Sequence, residues 1–160
     1  MWWFKDRKKL TAEAYINSLI DQQLPRAVQF FKKENDRARD HLTIPDDRLV
    51  EIGAALILFF LGGHFPDSKK ENLTLMSRAY VQVEKRLPDL GGNPKETYRW
   101  WKVFTDVLIF QESEERLNIV CRQVWEKLFP EKPYRDASPL RTYAYFLEME
   151  ISEAPKLNIG

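Results

Sequence analysis

The sequence predicts an all-α fold, a single domain of six or seven helices packed around one buried helix. Three observations carry that expectation. The stretch LVEIGAALILFFL, residues 49–61, is apolar around almost its whole circumference, interrupted only by Glu51 and Gly53 and closed by Gly62 and Gly63. Such a helix needs other helices on most sides, or a membrane; at about a dozen residues it falls well short of the ~20 that cross a bilayer. On both sides of it apolar residues recur at helical spacing between caps, prolines and glycine pairs. Finally, no segment before the last one reads as a strand.

Thr11 is an N-cap for a first helix bearing Ala12, Tyr15, Ile16, Leu19, Ile20 and Leu24. That helix is expected to end or kink at Leu24–Pro25, because the residue before proline is pushed out of the α region. Pro25 then suits the first position of a second helix, with the stripe Val28, Phe31, Ala38 and Leu42 and Asn35 in its middle, where it either fixes register or oligomeric state or, the favoured reading, lies at the edge of the buried face. Thr43 to Asp47 form a turn whose aspartates complement the positive end of the central helix, which Gly62–Gly63 stops. Ser68-x-x-Glu71 has the form of a capping box for a fourth helix, with the stripe Leu73, Met76, Tyr80, Val83 and Leu87.

Pro88 to Gly92 break the chain, and Asn93-Pro94-Lys95-Glu96 supplies cap, first-turn proline and N3 glutamate for a fifth helix. Its apolar surface is wide: Trp100, Trp101, Val103, Phe104, Val107, Leu108 and Phe110. Ser113 with Glu114 and Glu115 opens a sixth, with Leu117, Val120, Cys121, Val124, Trp125 and Leu128 on one face and Pro130 beyond its end. The fifth and sixth are the expected main neighbours of the central helix. Residues 140–151 fit two templates. Leu140, Tyr143, Ala144, Leu147 and Ile151 match a helix, whereas Tyr143, Tyr145, Leu147, Met149 and Ile151 alternate as in a strand. Helix is favoured, because a lone strand would have no partner within the chain for its backbone groups.

Residues 1–160 thus form one helical domain, with an aromatic and basic segment at 1–10 and a tail at 152–160. With 160 residues, 44% of them hydrophobic, the chain is large enough to bury a core without disulfides or metals. Its 25 basic and 24 acidic residues leave a net charge of +1, so no global field attracts nucleic acid. The basic face of the second helix, Arg26, Lys32, Lys33, Arg37 and Arg39, is interleaved with acids; Lys32 with Asp36, Glu34 with Arg37 and Asp36 with Arg39 satisfy one another there. A single cysteine excludes an intrachain disulfide and fits a reducing compartment. Trp2-Trp3-Phe4 runs at once into charges without the apolar core of a secretory signal, so a cytoplasmic location is expected.

No cofactor motif is present: neither a P-loop, a G-x-G-x-x-G turn, a G-x-S-x-G elbow nor Glu-x-x-His occurs. The glycine pairs read as helix stops. His41 and His64 lie beside turns and pair with no second ligand at metal spacing. Cys121 falls in an apolar stripe, where a thiol behaves as a small hydrophobe. These residues therefore nominate no catalytic, cofactor or metal set.

What remains is adhesive. Trp2, Trp3 and Phe4 followed by Lys5, Arg7, Lys8 and Lys9 join amphipathic rings to cations, and Trp100–Trp101 adds a second aromatic pair. The N-terminal rings either fold back to cover a groove between helices of the same chain or stay open to a partner; the leading functional expectation is a small non-catalytic interaction module, binding a protein partner or itself through these nine residues. The second is peripheral attachment to a membrane surface through residues 2–9. The third is an enzyme whose site is assembled from scattered carboxylates, His41 and arginines. Glu148, Glu150 and Glu153 make the last segment acidic against the basic start, so the ends could meet, with Trp2 or Trp3 on Tyr145 or Phe146 supplying most of the energy.

Overall fold

Every residue from Leu49 to Leu61 is buried, and the other helices are arranged to make this so. The computed structural model describes residues 11–37, 44–64, 69–108, 116–133 and 139–153. These fold as α1 (Ala12–Ser18), α2 (Leu24–Arg37), α3 (Asp46–His64), α4 (Lys69–Arg86), α5 (Pro94–Leu108), α6 (Arg116–Leu128) and α7 (Pro139–Ser152). There is no strand ladder among the described residues. A π-helical turn, Leu19–Gln23, joins α1 to α2, so the chain forms six rods in all among the described residues.

That join decides between two expectations for Leu24–Pro25 in part: helix does not end there, since Leu24 stays in the αR region and its N–H reaches back to Leu19 O across the wider turn. Proline inside a helix donates no hydrogen bond and crowds the carbonyl four residues earlier. Widening the preceding turn to π spacing relieves the crowding without breaking the rod. Likewise α3 continues through Gly62 and Gly63 to His64, because glycine weakens a helix without forbidding it.

The central helix packs most extensively on α5 and next on α7, with α2 and α4 closing its remaining sides. The sixth helix, expected beside it, instead covers α5 and α7 from outside. Its face is nonetheless as read: Leu117, Val120, Cys121, Val124 and Trp125 are buried, and Trp125 Nε1 donates to Lys132 O at 2.7 Å, folding the segment after α6 back onto it. Helix α1 seats on α4, flanked by Glu13 with Arg78 at 3.4 Å and by the two-pronged pair of Asp21 with Arg86. In α4 the buried ridge runs through Leu75, Ala79 and Val83; Leu73, expected on the stripe, stands 62% exposed on a face rotated away from it.

Caps follow the sequence in part. Thr11 Oγ1 accepts from Ala14 N–H at 3.2 Å, and Gly91, at φ +87°, closes the 3₁₀ turn Leu87–Leu90. Asn93 caps α5 through Lys95 N–H at 2.9 Å. Glu96 does not complete the capping box, since it pairs with Arg99 at 2.8 Å. Its expected role falls to Glu51 of α3, whose Oε2 accepts from Asn93 N–H at 2.7 Å, while Thr97 Oγ1 donates to Glu51 O at 3.1 Å. Burial, with Asp47 and Glu96 nearby, holds the Glu51 carboxyl above its usual range against the opposing pull of Asn93 N–H and Arg48. Lys32 pairs with Asp46 at 2.9 Å, tying α2 to the start of α3, where Asp36 was its expected partner. The Ser68–Glu71 box, the partners of Glu34, Arg37 and Arg39, and residues 109–115 lie outside what is described.

Candidate interaction surface

The last segment is a helix, and its two competing templates both have a meaning. Leu140, Tyr143, Ala144, Leu147 and Ile151 form the buried stripe against α3 and α2. The apolar residues left over face outward: Tyr145 is 48% exposed, Phe146 45% and Met149 37%. On a helix whose inner face is fully covered, the outer face is ordinarily polar. Three large apolar side chains within two turns depart from that pattern.

Helix α7 runs antiparallel to α2, as its ring contacts show. Phe31 meets Tyr143 edge-on at 6.2 Å, and Phe30 meets Phe146 at 4.8 Å. Between the two helices lies a cleft of about 280 Å³, walled by Phe30, Phe146, Leu147 and Met149 and rimmed by Arg26 and Glu150. Tyr145 packs on Phe146 at 5.8 Å and extends the apolar surface beyond the cleft. Glu150 also acts inward: burial first, then its charge, pushes the Tyr15 phenol well above the usual tyrosine range. At the base of the cleft Tyr143 is 1% exposed, and its hydroxyl has no hydrogen-bond partner among the described residues. Burial pushes that phenol up as well, so it stays neutral.

A second aromatic group lies on α4 and α5. Tyr80 stacks on Trp101 at 6.2 Å, and Tyr98, 45% exposed, meets both rings edge-on at 5.6 and 6.0 Å. The three rings fill one another's faces, which leaves Tyr98 as the exposed member. Trp100 turns inward instead: it is 9% exposed, tilted on Phe104 at 6.1 Å, with Lys127 Nζ 5.5 Å over its ring. Of the residues nominated by sequence for partner binding, Trp101 therefore shares a half-buried surface cluster and Trp100 belongs to the core. Trp2, Trp3, Phe4, Lys5, Arg7, Lys8 and Lys9 lie outside the described residues, as does His41.

Cys121 is 1% exposed, packed as a small hydrophobe. Among the described residues no group of three His, Cys, Asp or Glu side chains could hold a metal, and no helix is long and apolar enough to cross a membrane. The sequence offered Tyr145 and Phe146 only as a contact for Trp2 or Trp3 and did not nominate Met149, yet a signal for an outward apolar face existed. Tyr145 and Met149 satisfied only the strand template, so once the segment is helical they have no place on its buried stripe. Comparison with protein-family models, curated proteins and solved structures returns no match.

Proposed function

We propose that this chain is a non-catalytic interaction module whose working surface is the outward face of α7 together with the cleft it shares with α2. The observation that carries this is the side-by-side exposure of Tyr145, Phe146 and Met149 on a helix whose opposite face is fully buried. Contiguous apolar patches on a soluble surface mark places where another molecule sits, and aromatic residues with methionine are favoured at their centres. A protein fits this surface better than a small ligand does. The cleft's 280 Å³ stands at the lower edge of small-molecule sites, and the apolar surface continues past it onto Tyr145, which a ligand in the cleft would leave uncovered. A nucleic acid fits poorly, because Glu148, Glu150 and Glu153 border the patch and would repel phosphates.

The test is site-specific photo-crosslinking. A photoreactive phenylalanine at position 145 gives covalent products with a binding partner, identified by mass spectrometry and reproduced with purified components. The same group at position 85, exposed on α4, serves as the control. Equal yields from the two positions would refute this reading of the surface.

A further inference from the structure

Resting on that reading, we propose that residues 2–9 of this chain are the α7 surface's own occupant, a strap laid along the cleft between α2 and α7 that a partner must displace. Charge and ring chemistry match in order along the two. Phe146, Glu150 and Glu153 stand at i, i+4 and i+7 and so share one flank of α7, beside which Met149 and Tyr145 are exposed. The acids lie at the end of α7 nearest α1. Glu150 shares the cleft rim with Arg26 at the start of α2, into which α1 leads, and its charge reaches the Tyr15 phenol one turn into α1. A segment running back from Thr11 along this flank therefore meets Glu153 and Glu150 first, and Phe146 and Tyr145 after them. Read outward from Thr11, the segment presents Lys9, Lys8, Arg7 and Lys5 and then Phe4, Trp3 and Trp2. Cations thus fall against carboxylates and rings against rings. Asp6, its one acid, suits Arg26 on the opposite rim.

The segment is long enough. Phe30, which meets Phe146 across the cleft, lies about 28 Å from Thr11 along even a straight helical rod, at ~1.5 Å per residue. Extended chain at ~3.3 Å per residue carries Trp2 about 30 Å back from Thr11, and the indole rings lengthen that reach. Tethering also answers the small size of the patch. Its three outward side chains are a third to a half exposed and offer far less than the ~800 Å² a standard interface takes from each partner. A free molecule must in addition give up its translational freedom to bind there. A segment joined to the surface by a few residues is present at an effective concentration in the millimolar range. A contact with a dissociation constant of about a millimolar therefore already holds it half closed.

A photoreactive phenylalanine in place of Trp3, in the full chain at about 1 μM, tests this, with far-UV circular dichroism as the folding control. The expected product is an intrachain adduct whose main site, by mass spectrometry, is Phe30 or residues 145–150. Lys5→Glu with Arg7→Glu should lower that adduct about 3- to 10-fold, and adding Glu150→Lys with Glu153→Lys should bring it back to within about twofold of the starting yield. Should the combined variant lose its helical signal, Met149→Glu alone reads the apolar half of the contact and should lower the adduct at least ~3-fold. Adducts made mainly elsewhere in the chain, adducts joining two chains, or a yield unmoved by these changes would overturn the proposal. The partner identified from position 145, added at saturation, should lower the adduct at least ~5-fold; an unchanged yield would overturn the competition between them. Without partner, position 3 reads the strap alone. Its failure leaves partner crosslinks from position 145 standing, and failure of those leaves the position-3 adduct standing.

Discussion

Replacing Gly53 with alanine sets a general benefit against a specific clash. Gly53 lies in the middle of α3, where alanine stabilises a helix by about 1 kcal/mol. Its added Cβ would fall inside contact distance of Tyr143 Oη and 2.7 Å from Leu24 Cδ1. Leu24 and Tyr143 are 0% and 1% exposed, so neither can swing into solvent. Overpacking of this kind costs about 1–3 kcal/mol, and two simultaneous clashes put it at the upper end. The net expectation is a loss of about 2 kcal/mol, or roughly 4–8 °C in Tm for a chain of this size. Tyr143→Phe provides the second half of the experiment. It removes a buried hydroxyl that has no partner among the described residues, so alone it should be neutral or stabilising by up to ~2 kcal/mol. In that background Gly53→Ala meets only Leu24 and the ring edge, and should cost at least ~1 kcal/mol less than in the wild type. Urea unfolding of the four proteins closes the cycle. Additive effects, or a Gly53→Ala chain more stable than the wild type, would refute the close approach of α7 to α3 at this point.

Two further outcomes follow from α3 and the turn before α5. The Glu51 carboxyl titrates higher in the folded chain than in the unfolded one, so the folded state gains stability as pH falls from neutral through its folded pKa, and that gain is complete below the unfolded value. Glu51→Gln keeps an acceptor for Asn93 N–H without the charge; in urea titrations it should exceed the wild type at pH 7 and match it near pH 4, while Glu51→Ala, which strands that N–H, should cost about 1–3 kcal/mol at either pH. Gly91→Ala meets no atom within 4 Å, so its cost is that of the left-handed backbone alone, about 1–2 kcal/mol, read as a fall in Tm.

Much of this architecture is legible because burial leaves a periodic trace. The uninterrupted apolar run at 49–61 announced a helix surrounded by others, and the stripes of α6 and α7 told which of their faces turn inward. Pro25 marked an irregular turn without ending the helix: one π turn absorbs a residue that would otherwise stop it. The partner of α3 did mislead. Apolar spacing states that a face is covered and not by which helix, so nothing in the stripes of α6 and α7 distinguishes the one that touches α3 from the one that stands outside. The substitution of Glu51 for Glu96 at the start of α5 was equally hidden, since capping rules consider near neighbours and Glu51 lies 42 residues away. The α7 surface was half-visible: Tyr145 and Met149 stood in plain sight in an alternating pattern, but only after the helix is fixed do they become surplus to the core.

That long reach has a consequence for how the chain assembles. The start of α5 donates two hydrogen bonds to Glu51, from Asn93 N–H to the carboxylate and from Thr97 Oγ1 to the carbonyl, and makes them only once α3 stands beside it. A peptide containing α5 alone begins with its leading amide open to water and its threonine without this acceptor. The two helices are therefore bound to order together. In amide-exchange measurements the opening of α5 at its leading end should track that of α3, with Glu51→Ala uncoupling the two.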